Sequence, residues 1–298
     1  MKTRKKRTKA IHTIISGDKS CKLTFLILSF LTLLFFISIL PFNAFAIDDK
    51  NKRDRYTFGV FPYLAAKQLG NSYGPVAAEF SKILEQKVNF TSTPSYEDFS
   101  KGLTDERFDI AMIQPFDYAN AVDKHNYLPL ARVDADLRAH FVVKADSKYN
   151  NLNDLKGTRI ALPSASAAIS RVSIQALKKN GFEIDHDITL KHFKSFGSCL
   201  QNVLIGYSSS CASGLAAKKI FEARMNVKLK TIYITPAIPH MTFVVHKRMA
   251  KKDREILKNT IINWKNTRPG QEIIKGTRLP GFRVVDDRDY NVIREFDD

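Results

Sequence analysis

Apolar and polar positions follow two rhythms along this chain, and the switches between them mark out its elements. Short apolar runs at residues 56–60, 88–91 and 108–113 are too brief for helices and read as buried strands. Between the first two, residues 73–86 (YGPVAAEFSKILEQ) place Val76, Phe80, Ile83 and Leu84 on one helical face, with Pro75 suited to the first turn. Residues 96–103 form a second amphipathic helix, and a third starts at Gln114-Pro115. Strand, helix, strand, helix, strand is the rhythm of a mostly parallel sheet.

The same grammar returns further along. Strands are expected at 140–143, 158–162, 188–193, 209–213 and 229–234, and helices at 164–180, 198–206 and 216–225, with Gly181 ending the first of these. A strand at 242–245 and an amphipathic helix at 251–264 follow. No solenoid-type repeat and no low-complexity tract interrupts the pattern. Two α/β units of matching grammar are expected.

The first 46 residues obey a different rule. Residues 1–22 carry eight Lys/Arg against one Asp, a net +7, and residues 23–40 are an uncharged apolar run. Ala44-Phe45-Ala46 then supplies a small-x-small exit, so the segment reads as a secretory signal cleaved after Ala46. The run also approaches the ~20 residues that span a bilayer, so an uncleaved anchor is the competing reading. Either way the basic flank stays inside and the rest is exported. Residues 48–55 form a charged linker.

Subtracting the leader's +7 from the chain's +17 leaves +10 on about 250 residues, enough for one large domain or two linked lobes. A positive field suits an anionic solute; export and the lack of an aromatic-plus-basic motif argue against nucleic acid. Many of the charges come as pairs such as Lys178-Lys179 and Lys218-Lys219, the composition of solvated helix faces. Two cysteines follow the leader, Cys199 and Cys211. In an oxidising compartment they read as a disulfide or as inert buried thiols. A Cys-His nucleophile with nearby His192 would need an activated thiolate and an orienting group, and the sequence shows neither.

Candidate chemistry concentrates at 107–121, RFDIAMIQPFDYANA. A buried strand there ends in a polar and aromatic cluster, and ligands of open α/β sheets bind at the carboxyl ends of strands. On FGVFP, YGPVAAEFSKIL, YEDFSKGLTDERFDIAMIQPFDYANA, NLNDLKGTRIALPSASAA, IPHMTFVVHKRM and DDRDYNVIREF, taken in that order, the chain resembles periplasmic solute-binding proteins. More closely it resembles the phosphate-, phosphite- and phosphonate-binding components of ABC transporters, over about residues 56–296.

The resemblance implies an α/β, two-lobed type II periplasmic-binding-protein fold, with hinged mixed or mostly parallel sheets and flanking helices. Lobe one would comprise residues 56–137 plus 243–298, and lobe two residues 138–242. It implies a binding protein, not an enzyme, that needs no cofactor. Its partners would be a small anionic solute and a permease in the inner membrane, and it would act as a periplasmic monomer.

An oxyanion is best held by unpaired N–H groups at a helix start, and the segment Pro163-Ser164-Ala165-Ser166-Ala167-Ala168 is one. Ser164 and Ser166 are candidate hydroxyl donors, or else helix caps. Where the resembled family has adjacent Ser-Thr hydroxyls this chain has Ala167-Ala168, so either backbone donors hold the anion or the ligand differs from the family's. From lobe one, Tyr63, Gln114, Phe116 and Tyr118 are the matching cleft candidates, and the aromatics read equally as core. Asp117 reads as a first-turn helix acid.

His140 and His240, near strand ends or crossings, are candidate anion or hydrogen-bond contacts, or structural histidines. Ser195 and Ser198, at another helix start, complete the candidates. No metal-ligand spacing is present. A membrane-tethered sensor with the same trap, and an exported enzyme using His192 or Cys199, are the alternative functions.

Overall fold

The computed structural model describes residues 55–296. The leader at 1–46, whether signal or anchor, lies outside them, as does most of the linker at 48–55. Among the described residues no helix is long and apolar enough to cross a membrane.

Two sheets organise the chain. The first has six strands in the order β13-β4-β12-β3-β1-β2. These are β1 (Arg55–Val60), β2 (Lys87–Thr91), β3 (Ile110–Ile113), β4 (Tyr127–Val133), β12 (Thr242–His246) and β13 (Phe282–Val284). β1 pairs in parallel with β2 and β3, the product of two successive strand-helix-strand units. β12 and β13 join antiparallel, so the sheet is mixed.

The second sheet runs β10-β6-β9-β7-β8. Its strands are β6 (His140–Lys144), β7 (Thr158–Leu162), β8 (Ile188–His192), β9 (Ser210–Ser213) and β10 (Leu229–Ile234). β7 is parallel to β8 and β9, while β6 is antiparallel to β9 and β10. The chain leaves the first sheet through β5 (Asp136–Leu137) and returns through β11 (Ile238–Pro239), and these two pair antiparallel as a two-stranded ladder. Beside that ladder the buried Arg132 guanidinium pairs with Asp289 at 2.9 Å and Asp136 at 3.4 Å.

Most elements sit where periodicity places them, and three differences are instructive. Helix α1 runs Ala66–Ile83, starting seven residues before the expected 73 and enclosing Pro75 instead of opening on it. An internal proline costs about 3 kcal/mol. The face Leu69, Tyr73, Val76, Ala77 and Phe80 is buried along the whole length and offsets that cost.

Strand β4 (YLPLARV) escapes periodicity because Pro129 lies within it. The irregularity in its register with β12, where Phe243 faces Ala131 and Val244 faces Pro129, accommodates the ring. Helix α8 (Arg268–Thr277) and β13 lie beyond the last expected element; Thr267 caps α8 by accepting the Gly270 N–H at 3.2 Å, and Pro269 fills its first turn.

The first sheet's core gathers around Phe58, against Phe80, Phe90, Tyr73 and Phe243. Phe108 needs two glycines: a Cβ at Gly59 would meet its ring at 2.6 Å and one at Gly102 at 2.8 Å. That packing seats the loop leading into β3, whose carboxyl end carries Gln114. In the second sheet Cys199, on helix α5 (Phe196–Leu204), and Cys211, on β9, form a disulfide. Both are fully buried among Val142, Ala161, Leu200, Val203 and Phe221. With its sulfur so bonded, Cys199 offers no thiolate.

Candidate functional site

A cavity of about 880 Å³ opens between the two sheets. Its first-sheet wall includes Phe61 and Tyr63 after β1, Tyr96 at the start of helix α2 (Tyr96–Thr104), and Gln114-Pro115 after β3. The second-sheet wall includes His140, Ala167 to Ile169, Phe196 and Leu215, and the crossing contributes Asp136 to Arg138, His240 and Met241. Strand ends and helix starts meet here because each βα turn of an open sheet exposes its carboxyl end.

Gln114 is the focus. It is buried and acts as the N-terminal boundary of helix α3 (Pro115–Ala119) without capping it through its side chain. Its amide instead reaches the opposite wall: Nε2 donates to the Ser166 carbonyl at 2.9 Å and Oε1 accepts the Ala168 N–H at 2.9 Å. Ala168 opens helix α4 (Ala168–Lys179), so one orphan donor of that helix is met by a neutral amide. Ala167, the residue before α4, provides no side-chain cap.

The histidines and tyrosines carry their polarity differently. His240 Nδ1 accepts the Met241 N–H at 2.8 Å, which leaves the proton on Nε2. Burial, with Arg132 nearby, pushes its pKa down to about 4, so it faces the cleft as a neutral ring. His140 is lowered by burial, then by Lys218 and Arg138. Tyr63 lines the cleft while its hydroxyl hydrogen-bonds Tyr73 at 2.9 Å, and burial raises its pKa to about 12.

Several candidates stand elsewhere. Tyr118 is fully buried, stacked on Tyr290 at 3.7 Å, and donates to Asp287 at 2.8 Å; it is core, outside the cavity lining. Phe116 lies under the Arg171 guanidinium at 3.9 Å and edge-on to Phe296, also outside the lining. Ser195 and Ser198 stand at the start of α5, outside the cavity lining. They form a reciprocal capping box on α5, and Phe196 between them reaches the cavity instead.

Neither Ser164 nor Ser166 caps α4 or lines the cavity, because the helix opens at Ala168, four residues later than the expected start. The Ser164 carbonyl accepts the Ala167 N–H at 3.0 Å. The Ser166 hydroxyl donates to Glu97, and that bond is the leading cause holding the Glu97 carboxyl below its usual range. His192 Nδ1 bonds the Pro163 carbonyl at 2.8 Å. Among the described residues no cluster of His, Cys, Asp or Glu could hold a metal ion.

Asp117 is the acid of the first turn of α3, yet it is buried and takes a 2.6 Å hydrogen bond from Ser100. Burial raises its pKa to about 6, outweighing the Ser100 and Gln114 hydrogen bonds and nearby Arg171. A folded-state value above the unfolded one favours folding below the unfolded pKa and loses that advantage as pH rises through about 6. Melting curves of Asp117→Asn and the parent protein should therefore converge at acid pH and separate between pH 4 and 7, the parent declining more steeply. Parallel curves would refute this.

The residues that periodicity missed are mostly apolar: Phe61, Leu64, Leu215, Ile220, Ile234, Met241 and Leu279. Leu215 follows Gly214 at the end of β9, and the strand-end rule that marks Gln114 would mark it too. Arg278 and Leu279 reach the cleft from the end of α8, which no local pattern signals.

Known proteins place this architecture. The structure superposes on PhnD1 from Prochlorococcus marinus in complex with methylphosphonate, with a TM-score of 0.72 and 19% identity over 82% of this chain and 97% of that one. A binding-protein component of an ABC phosphonate transporter from Pseudomonas aeruginosa gives 0.72 at 16% identity, covering 82% and 85%. A Xanthomonas citri protein bound to ATP gives 0.64 at 16%, covering 82% and 96%. At these identities the likeness establishes the fold, that of type II periplasmic binding proteins. No curated protein matches the sequence. The family model described as "ABC transporter, phosphonate, periplasmic substrate-binding protein" matches residues 58–290. The chain thus belongs to the phosphonate-binding family of periplasmic substrate-binding proteins of ABC transporters, which bind solutes and are not enzymes.

Proposed function

We propose that this protein captures an anion of the phosphonate, phosphite or phosphate class outside the cytoplasmic membrane and delivers it, as a monomer, to an ABC permease. The observation that carries the reading is Gln114, which spans the cleft and binds both a donor and an acceptor on the far wall. The crossing adds support: the chain passes between the two sheets twice, and the short ladder of β5 and β11 pairs the two passages. In this reading residues 56–137 with 243–298 move as one lobe and residues 138–242 as the other. Solute favours the closed form because only that form lets both walls touch it.

A thermal-shift series with alkyl- and arylphosphonates, phosphite and phosphate tests the reading. A ligand at a hundredfold over its Kd should add about 2.7 kcal/mol of stability. A protein whose melting point responds to none of them is not a receptor for this class.

The length of the apolar run at 23–40 favours a second reading, the same trap held at the membrane as a sensor. N-terminal sequencing of the exported protein separates the two: a chain beginning at Ile47 supports free capture, and an intact leader supports tethering.

A further inference from the structure

The lining of the cleft is poorly matched to a compact oxyanion. Such an ion demands many convergent donors, yet the α4 start offers two alanines, Ala167 and Ala168, and the Ala168 N–H is already engaged by Gln114. The hydroxyl of Ser166 is committed to Glu97. His240 presents one neutral N–H, since its other ring nitrogen accepts from Met241.

What the cleft offers in quantity is apolar surface. Phe61, Tyr96, Phe196, Ile220 and Met241 line it from both walls, and Leu215 and Ile234 stand in it 44% and 47% exposed. Large apolar side chains left open to water inside a concave site mark a place where an apolar group docks. The volume of about 880 Å³ lies near the top of the ~300–1,000 Å³ range of small-molecule sites. Charge completes the description: Arg138, Lys219 and Arg278 line the cavity with Asp136 as the single carboxylate, an excess of cations suited to one anionic head.

We propose that the solute of this cleft is an organophosphonate whose carbon substituent is large and apolar, an aryl group or a chain of several carbons, and that phosphate and methylphosphonate are poor ligands. This rests on the binding-protein reading above and narrows its solute. The apolar substituent occupies the surface around Leu215, Ile220 and Ile234, and the head group takes the cationic and hydrogen-bonding positions.

The test is titration calorimetry of the full chain with phosphate and with methyl-, butyl-, octyl- and phenylphosphonate, all below any micellar concentration. Each buried methylene is worth about fourfold in affinity, so octylphosphonate should bind at least about tenfold more tightly than methylphosphonate. Equal or tighter binding of methylphosphonate or phosphate overturns this proposal and leaves the broader function intact, whereas no binding by any member overturns both.

Leu215→Asp supplies an independent arm. Leu215 is exposed and is the first residue of helix α6 (Leu215–Met225), where an acid is well tolerated. The variant should lose most of the preference for octyl over methyl. Full retention of the preference would mean that the chain binds outside the cleft, and the proposal would fall.

Discussion

Gln114→Ala is expected to weaken phosphonate binding by about ten- to a hundredfold, the equivalent of ~1.4–2.8 kcal/mol for the loss of two cross-cleft hydrogen bonds and the groups they leave unpaired. The alanine removes both the donor to the Ser166 carbonyl and the acceptor for the Ala168 N–H. Gln114→Glu separates the two roles. A carboxylate can still accept from Ala168 at the positive end of α4, so the helix start stays satisfied. It cannot donate to Ser166, and it places a negative charge where an anion must approach. The glutamate variant should therefore keep the melting point of the parent more closely than the alanine variant, yet bind the anion as poorly or worse. Calorimetry and melting curves on the same preparations read both quantities. Parent-like affinity in both variants would remove Gln114 from the site.

Opening the Cys199–Cys211 bond should cost more stability than any single cleft substitution. The cysteines are 12 residues apart, and closing a loop of that size restrains the unfolded chain by about 3 kcal/mol in the chain-entropy account. For a chain of this length that is roughly 6–12 °C in Tm. Cys199→Ala with Cys211→Ala is the appropriate variant, because serines would bury hydroxyls in an apolar cluster and add their own penalty. The loss should appear in calorimetric melting of the double variant and of the reduced parent alike. Phosphonate affinity at 25 °C should change little, since neither cysteine lines the cavity. An unaltered Tm would show that the bond stabilises nothing.

How far local pattern reaches can be seen in particular elements. β7 and β10 fall where alternation and apolar runs place them, and Gly181 ends α4 with φ +77°. Gln114 was legible because a short apolar strand followed by Gln-Pro is a strand end, and strand ends of open sheets meet ligands. Tyr118, four residues on, has the same composition signal and a different fate. An aromatic ring in the core and one on a cleft wall satisfy the same apolar pattern, and only its neighbours, Tyr290 and Asp287 from about 170 residues away, decide.

The serines teach a related lesson. Ser195 and Ser198 read as a helix start able to face a ligand, and the structure shows their hydroxyls in the reciprocal bonds of one helix turn. Ser166 was claimed by Glu97, an acid 69 residues earlier on another element.

By itself the sequence determined the α/β grammar, the disulfide candidates, the strand end at Gln114 and the family likeness, all of which are carried by local periodicity and short motifs. Tertiary structure alone decided the character of the cleft. Its apolar lining is assembled from segments near 61, 96, 196, 215, 234 and 279, each of which is locally unremarkable. Periodicity reports which side of an element is buried, and it cannot distinguish burial against a neighbouring element from burial against a solute.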